Sequence, residues 1–258
     1  MGGPTRGCVL ASGNIDALSQ FELHPALGEA GAAVHFSQSN LMMVVAAVLT
    51  LALLVIGMRP RAMVPGRLQA AAEMIYEFVY SMCVDTIGPE GKRFFPFIFT
   101  LFLFILIGNL IGVFPYFFTF TSHIAVTLAL TVVVVLMVTL VGLAIHGLHW
   151  FSYFVPQGVP KALLPLLVPI EILSYLSRLI SLSVRLFANM MAGHVMLEVF
   201  GAFVVMLGAA GLLGILPAIF AFGVNVILIG FEILVAVLQA YVFAVLSCIY
   251  LHDAVHLH

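Results

Sequence analysis

The sequence predicts an all-α integral membrane protein with five membrane-crossing helices and one amphipathic helix at the membrane interface. Of its 258 residues, 64% are hydrophobic and only 8% are charged, and the mean hydropathy is +1.24. These values lie far outside the range of a soluble domain. In addition, the apolar runs are long enough to cross a bilayer and are separated by short polar links.

The composition also excludes several kinds of site. The net charge of −2 says little about partners, because the few charges are unevenly placed, and the sequence carries no nucleic-acid-binding pattern. Cys8, Cys83 and Cys248 are scattered, so neither a disulfide framework nor a zinc site is predicted. We expect no cofactor and no metal. No removable signal peptide is evident near the start, so the first hydrophobic helix is expected to target the chain, which we interpret as one membrane domain, 1–258.

The first half of this domain contains three predicted crossings. A mildly acidic external segment, 1–35, precedes the first crossing at 36–58. In 67–87, apolar residues recur at helical spacing with polar residues on the other side, which predicts an interfacial helix or an ordinary packing helix. The second and third crossings are 96–117 and 124–146. Asn109 is the only amide in the second crossing, so we expect it to face the interior, either toward an ion path or toward a neighbouring helix.

The second half is predicted to be a long hairpin. Prolines between 146 and 169 predict a non-helical loop, and a glycine-rich link separates the segments 170–207 and 217–251. As helices they would be roughly 57 and 52 Å long, although about 20 residues suffice to cross a bilayer. No proline interrupts either segment, so we predict a strongly tilted antiparallel hairpin.

Positive residues predict the orientation. Arg59, Arg61, Arg67, Lys92 and Arg93 fall between crossings one and two, and Lys161 falls between crossings three and four. These loops are therefore expected on the cytoplasmic side, with the N-terminus outside. The histidines at 252, 256 and 258 read as a solvated tail rather than a metal site.

Polar residues follow one face of segment 170–207. They are spaced three or four positions apart, which aligns them on a helix: Glu171, Ser174, Arg178, Ser181, Arg185 and Asn189. A charge near the bilayer centre costs at least about 2.5 kcal/mol. The stripe is therefore a candidate ion path with Arg185 at its centre.

The last segment carries a second polar face, formed by Asn225, Glu232 and Gln239 at intervals of seven. Antiparallel folding about the link sets Arg185 level with Gln239, His194 level with Glu232, and Glu171 near Asp253. Helical rotation places His194 and Glu198 opposite Arg185. We therefore predict two aqueous pockets separated by Arg185, which stays protonated and acts as a fixed barrier. The outer pocket comprises His194, Glu198, Glu232 and Asn225, and the inner pocket comprises Glu171, Ser174 and Arg178.

These residues carry a specific motif: Ser181-Leu-Ser-Val-Arg-Leu-Phe-Ala-Asn189-Met followed by Ala192-Gly-His194. Supporting pieces are Gly108-Asn-Leu-Ile-Gly-Val-Phe-Pro-Tyr116, Thr119-Phe-Thr-Ser-His123 and Leu238-Gln-Ala-Tyr-Val-Phe243. From about Phe21 onward, the chain resembles the a subunit of F-type ATP synthases, the stator of the membrane rotary motor.

The resemblance implies roles for matching residues. Arg185 would be the arginine that faces the ion-binding carboxylate of the c-ring, and Asn189, Gln239, His194 and Glu232 would line the proton path. Glu171 matches an acidic position near the cytoplasmic exit, whereas Glu198 has no fixed counterpart. Many bacterial members have an acid at position 194 and a histidine at position 232; here they are exchanged, as in mitochondrial and α-proteobacterial chains, which supports contact between them.

We therefore interpret the chain as a proton-translocating stator subunit without a catalytic site of its own. The implied partners are the c-ring proteolipids, the b-type subunits of the peripheral stalk and the rest of the ATP synthase. The expected location is a bacterial plasma (inner) membrane, with the mitochondrial inner membrane as the alternative. A self-contained secondary transporter or channel with a buried Arg–Glu–His network is the alternative function, although no internal repeat supports it.

Overall fold

A computed structural model describes residues 38–58, 66–113, 119–147, 150, 163–209 and 211–256. These residues form six α-helices and a short 3₁₀ turn, Phe120–Ser122, and contain no strand. The helices are α1 (Gln38–Met58), α2 (Arg67–Ile87), α3 (Gly91–Val113), α4 (Ile124–His146), α5 (Leu164–Ala209) and α6 (Leu212–Val255). All except α2 are long and apolar enough to cross a membrane, which confirms the predicted fold class.

The first four helices lie close to their predicted positions. The bounds of α2 and α4 coincide with 67–87 and 124–146. Helix α3 begins at Gly91, five residues before the predicted start, because Lys92 and Arg93 are good helix formers and join its first turn. The external segment 1–35, the first two residues of crossing 36–58 and the last four of crossing 96–117 lie outside the described residues, as do Arg59, Arg61 and Lys161.

The hairpin helices are longer than the sequence predicts. The prediction of a non-helical loop up to Pro169 is wrong after residue 163, since α5 begins at Leu164. Pro165 occupies the first turn, where its missing N–H costs no helical bond, and Pro169 removes only one. Similarly, Pro217 lies inside α6, which begins at Leu212. Helix α5 ends at Ala209 and α6 begins at Leu212. Gly211, directly before α6, has a φ of 81°, a conformation that favours glycine.

With 46 and 44 residues, α5 and α6 are about 69 and 66 Å long. Both lengths are more than twice the thickness of the hydrocarbon layer. The strong tilt of the hairpin in a bilayer stays a prediction.

Helix α3 is the inner element of the bundle. In the most apolar stretch of α3, 56% of the residues are buried, compared with 11 to 22% in the corresponding stretches of the other four spanning helices. It packs against α6, α2 and α1, and the core that they share includes the fully buried Val79, Ile98, Leu103 and Phe243. Helix α2 thus packs as part of the bundle, while its position relative to the membrane interface stays a prediction. The outer faces of α1, α4, α5 and α6 expose apolar side chains.

Candidate functional site

Arg185 lies near the middle of α5 on the outer face of the hairpin. Its side chain is exposed, as are the polar Ser181 and Asn189 one turn away on either side. The neighbouring apolar residues Ile180 and Val184 are 57% and 41% exposed. Among the residues that the structure describes, none forms a hydrogen bond or an ion pair with Arg185. Within the described residues, Arg185 therefore carries a positive charge without a counter-charge, on a face that holds both polar and apolar side chains.

His194 and Glu232 meet on the inner side of the hairpin. His194 Nε2 lies 3.6 Å from Glu232 Oε1, and the two side chains are 13% and 4% exposed. The carboxylate approaches α5 closely because residue 193 is glycine: a Cβ there would lie 3.1 Å from Glu232 Oε1. The contact that antiparallel folding predicts is thus present. Both groups can accept and release protons, so the contact brings two titratable side chains of different helices together.

The polar face of α6 carries hydrogen-bonding capacity that the described part of the chain does not use. Neither oxygen of Glu232, nor Asn225 Oδ1, nor Gln239 Nε2 has a hydrogen-bond partner among the described residues, although all four atoms are buried. Buried polar atoms are normally satisfied by protein or by water. Because the three residues are seven apart, these atoms lie along one side of α6. Glu198, the fourth predicted member of the outer pocket, lies one turn beyond His194 and is partly buried.

Gln239 connects this face to the polar stripe of α5. Asn189 Nδ2 donates to Gln239 Oε1 at 2.8 Å, and Asn189 lies one turn from Arg185. The sequence instead sets Arg185 itself level with Gln239. The amide pair thus links the two helices next to the arginine.

Asn109 forms bonds to two other parts of the fold. It is fully buried, its Nδ2 donates to the carbonyl of Ala236 at 3.4 Å, and its Oδ1 accepts from Thr121 Oγ1 at 3.0 Å. Of the two expected roles, the contacts favour bonding to a neighbouring helix. Because Ala236 lies between Glu232 and Gln239, Asn109 also fixes the part of α6 that carries both.

At the other end of the hairpin, Arg178 Nη1 lies 3.1 Å from Asp253 Oδ2, and its guanidinium lies 5.5 Å from the Tyr250 ring centre. The sequence places Glu171 near Asp253, but the residue that forms the ion pair is two turns further along α5. Glu171 and Ser174, the other predicted inner residues, are partly buried.

Sequence reasoning missed two residues of the site, Thr119 and Thr121. Thr119 Oγ1 lies 2.6 Å from His194 Nε2, and Thr121 bonds Asn109. Both belong to a motif that supports the family resemblance, but their spacing alone does not distinguish them from loop residues. Only the turn that brings them against α3 reveals their contacts.

Comparison with known proteins identifies the group to which this chain belongs. The sequence profile of the family described as ATP synthase A chain matches residues 40–252. The chain belongs to this family. Proteins named ATP synthase subunit a are similar over nearly their whole length: 61% identity to that of Granulibacter bethesdensis, covering 96% of this chain and 99% of the relative, and 50% identity to that of Rhodospirillum rubrum, covering 93% and 98%.

A third relative, from Gluconacetobacter diazotrophicus, is 61% identical over 95% of this chain and 98% of its own length. These relatives are α-proteobacterial, in agreement with the exchanged His194 and Glu232. Family membership confirms the resemblance that the sequence motifs indicate. The chain is a multi-pass membrane subunit that serves ATP synthesis and proton transport.

Proposed function

We propose that this chain is the stator subunit that conducts protons through two offset aqueous half-channels, to and from the carboxylates of a c-ring. One observation carries the proposal: the exposed Arg185, near the middle of a membrane-spanning helix, has no counter-charge within the described part of the chain.

The physical argument concerns the cost of that charge. An arginine in an apolar membrane environment costs at least about 2.5 kcal/mol unless it is compensated. A carboxylate on a neighbouring membrane subunit would compensate it. Because arginine stays protonated, a ring carboxylate passes Arg185 in its charged form. It must therefore lose its proton on one side of Arg185 and regain a proton on the other side. Arg185 thus separates the half-channels and does not relay protons.

The outer half-channel contains the His194–Glu232 pair, with Glu198 and Asn225 further along their helices. The polar face of α6 leads from this pair to Gln239, whose bond to Asn189 ends one turn from Arg185. Polar side chains therefore recur from this pair toward the arginine, two turns apart along α6 and then across to α5. The inner half-channel is lined by Glu171, Ser174 and Arg178.

Further partners follow from this role. The exposed face of α5 around Arg185 fits against the c-ring, and the b-type subunits of the peripheral stalk hold the chain against rotation. The bacterial relatives support a location in the bacterial plasma membrane.

The test replaces Arg185 by alanine in the whole ATP synthase. We expect assembly to be normal and proton-driven ATP synthesis in membrane vesicles to be lost, because no fixed positive charge then separates the two half-channels. Arg93→Ala is the matched control, since Arg93 is exposed at the start of α3, and should retain activity. Near wild-type synthesis by an assembled Arg185→Ala complex would refute the proposal.

A further inference from the structure

The turn between α3 and α4 places a hydroxyl directly against the proton-transfer pair. Thr119 is 5% exposed, and its Oγ1 lies 2.6 Å from His194 Nε2, the same nitrogen that faces Glu232 at 3.6 Å. We propose that Thr119 is a positioning residue that holds this nitrogen toward Glu232 in both protonation states of the imidazole. The inference deepens the proposed outer half-channel and rests on it.

The position of the hydroxyl is set by two glycines, one turn apart on α3. A Cβ at Gly112 would lie 2.5 Å from Thr119 Oγ1, and a Cβ at Gly108 would overlap the ring of Phe120. The side chains of the turn therefore occupy a groove that only glycine leaves open. Ser122 closes the turn, since its N–H and Oγ donate to the Thr119 carbonyl at 3.1 and 2.6 Å.

The chemistry follows from the hydroxyl being both a donor and an acceptor. When Nε2 carries a lone pair, Thr119 donates its hydrogen to it. When Nε2 carries a proton, Thr119 accepts, and its own hydrogen can turn to the Gly112 carbonyl, 3.4 Å away. The ring thus keeps its orientation while a proton arrives and leaves. A valine has nearly the same shape but can do neither.

A purely structural role for Thr119 leads to a different expectation. If Thr119 only stabilised the turn, its shape would matter and its hydroxyl would not. The contact of the hydroxyl with α3, at the Gly112 carbonyl, is 3.4 Å and therefore longer than its 2.6 Å contact with His194. Loss of the hydroxyl alone would then leave proton transfer unchanged in an assembled complex. Valine and serine variants separate the two roles.

The experiment compares Thr119→Val and Thr119→Ser in the whole ATP synthase, measuring ATP-driven proton pumping per assembled complex in membrane vesicles. We expect Thr119→Val to pump about 2- to 10-fold more slowly, the rate equivalent of one lost hydrogen bond, and Thr119→Ser to pump near the wild-type rate. Thr50→Val is the matched control, since Thr50 is buried in α1 and its hydroxyl bonds the Ala46 carbonyl of the same helix. It should pump normally.

Wild-type pumping by Thr119→Val, or equal losses in Thr119→Val and Thr119→Ser, would overturn the inference. If Thr119→Val fails to assemble, Thr119→Ala is compared with Thr119→Ser under the same criteria. Arg185→Ala in the same assay keeps the two proposals apart. Normal pumping by Arg185→Ala contradicts the proposed function, whereas normal pumping by the Thr119 variants alone contradicts only the role of Thr119.

Discussion

Exchanging His194 and Glu232 tests whether their contact carries protons. In His194→Glu, two carboxylates would face each other at about the present 3.6 Å, and at an effective dielectric constant of about 20 their repulsion is about 4 to 5 kcal/mol. We expect the single variant to assemble but to lose most proton-driven ATP synthesis, because the second carboxylate replaces the imidazole with a like charge.

Adding Glu232→His should restore the opposite pairing. Contacting residues typically couple by 0.5 to 3 kcal/mol, so we expect the double variant to recover about 5- to 30-fold over His194→Glu, the equivalent of about 1 to 2 kcal/mol. ATP synthesis per assembled complex in vesicles measures this recovery. In the control double variant, His194→Glu is combined with Glu77→His, an equivalent change on the exposed face of α2. An assembled double variant that is no more active than His194→Glu alone or Glu232→His alone would refute the pairing.

Three other predictions concern stability. Asn109→Leu should lower the apparent melting temperature of the solubilised complex, because it leaves the buried hydroxyl of Thr121 without its acceptor, at a cost of about 1 to 3 kcal/mol; an unchanged melting temperature would contradict this. Arg178→Ala and Asp253→Ala should each lower the stability of the complex by at most about 1 kcal/mol. Both side chains of this ion pair are 29% exposed, and solvent-accessible ion pairs contribute little. A larger loss of stability in thermal melting would contradict this. Burial lowers the pKa of His123 from its ordinary 6.5. The stability that the neutral imidazole contributes is therefore fully present above pH 6.5 and is lost as the pH falls through the lowered pKa. His123→Gln should reduce the drop in melting temperature on acidification, and the same dependence of melting temperature on pH in variant and wild type would argue against it.

The sequence alone predicts the fold class and much of the site. Composition and apolar length are enough for five spanning helices, because a bilayer leaves a chain few ways to satisfy its backbone. Helical periodicity aligns Arg185 with Asn189, and the antiparallel hairpin brings His194 to Glu232. These inferences hold because they depend on spacing within one helix, or on two helices joined by a short link.

The tertiary structure decides which side chains bond across helices. Gln239 bonds Asn189 although the sequence sets it level with Arg185, and Asp253 pairs with Arg178 instead of Glu171. Such partners depend on how two helices cross and on how far each side chain reaches, and sequence spacing specifies neither. The role of Thr119 could not be predicted for the same reason. Its turn lies far from α5 in the sequence, and it contacts His194 only because the turn packs into the groove of α3.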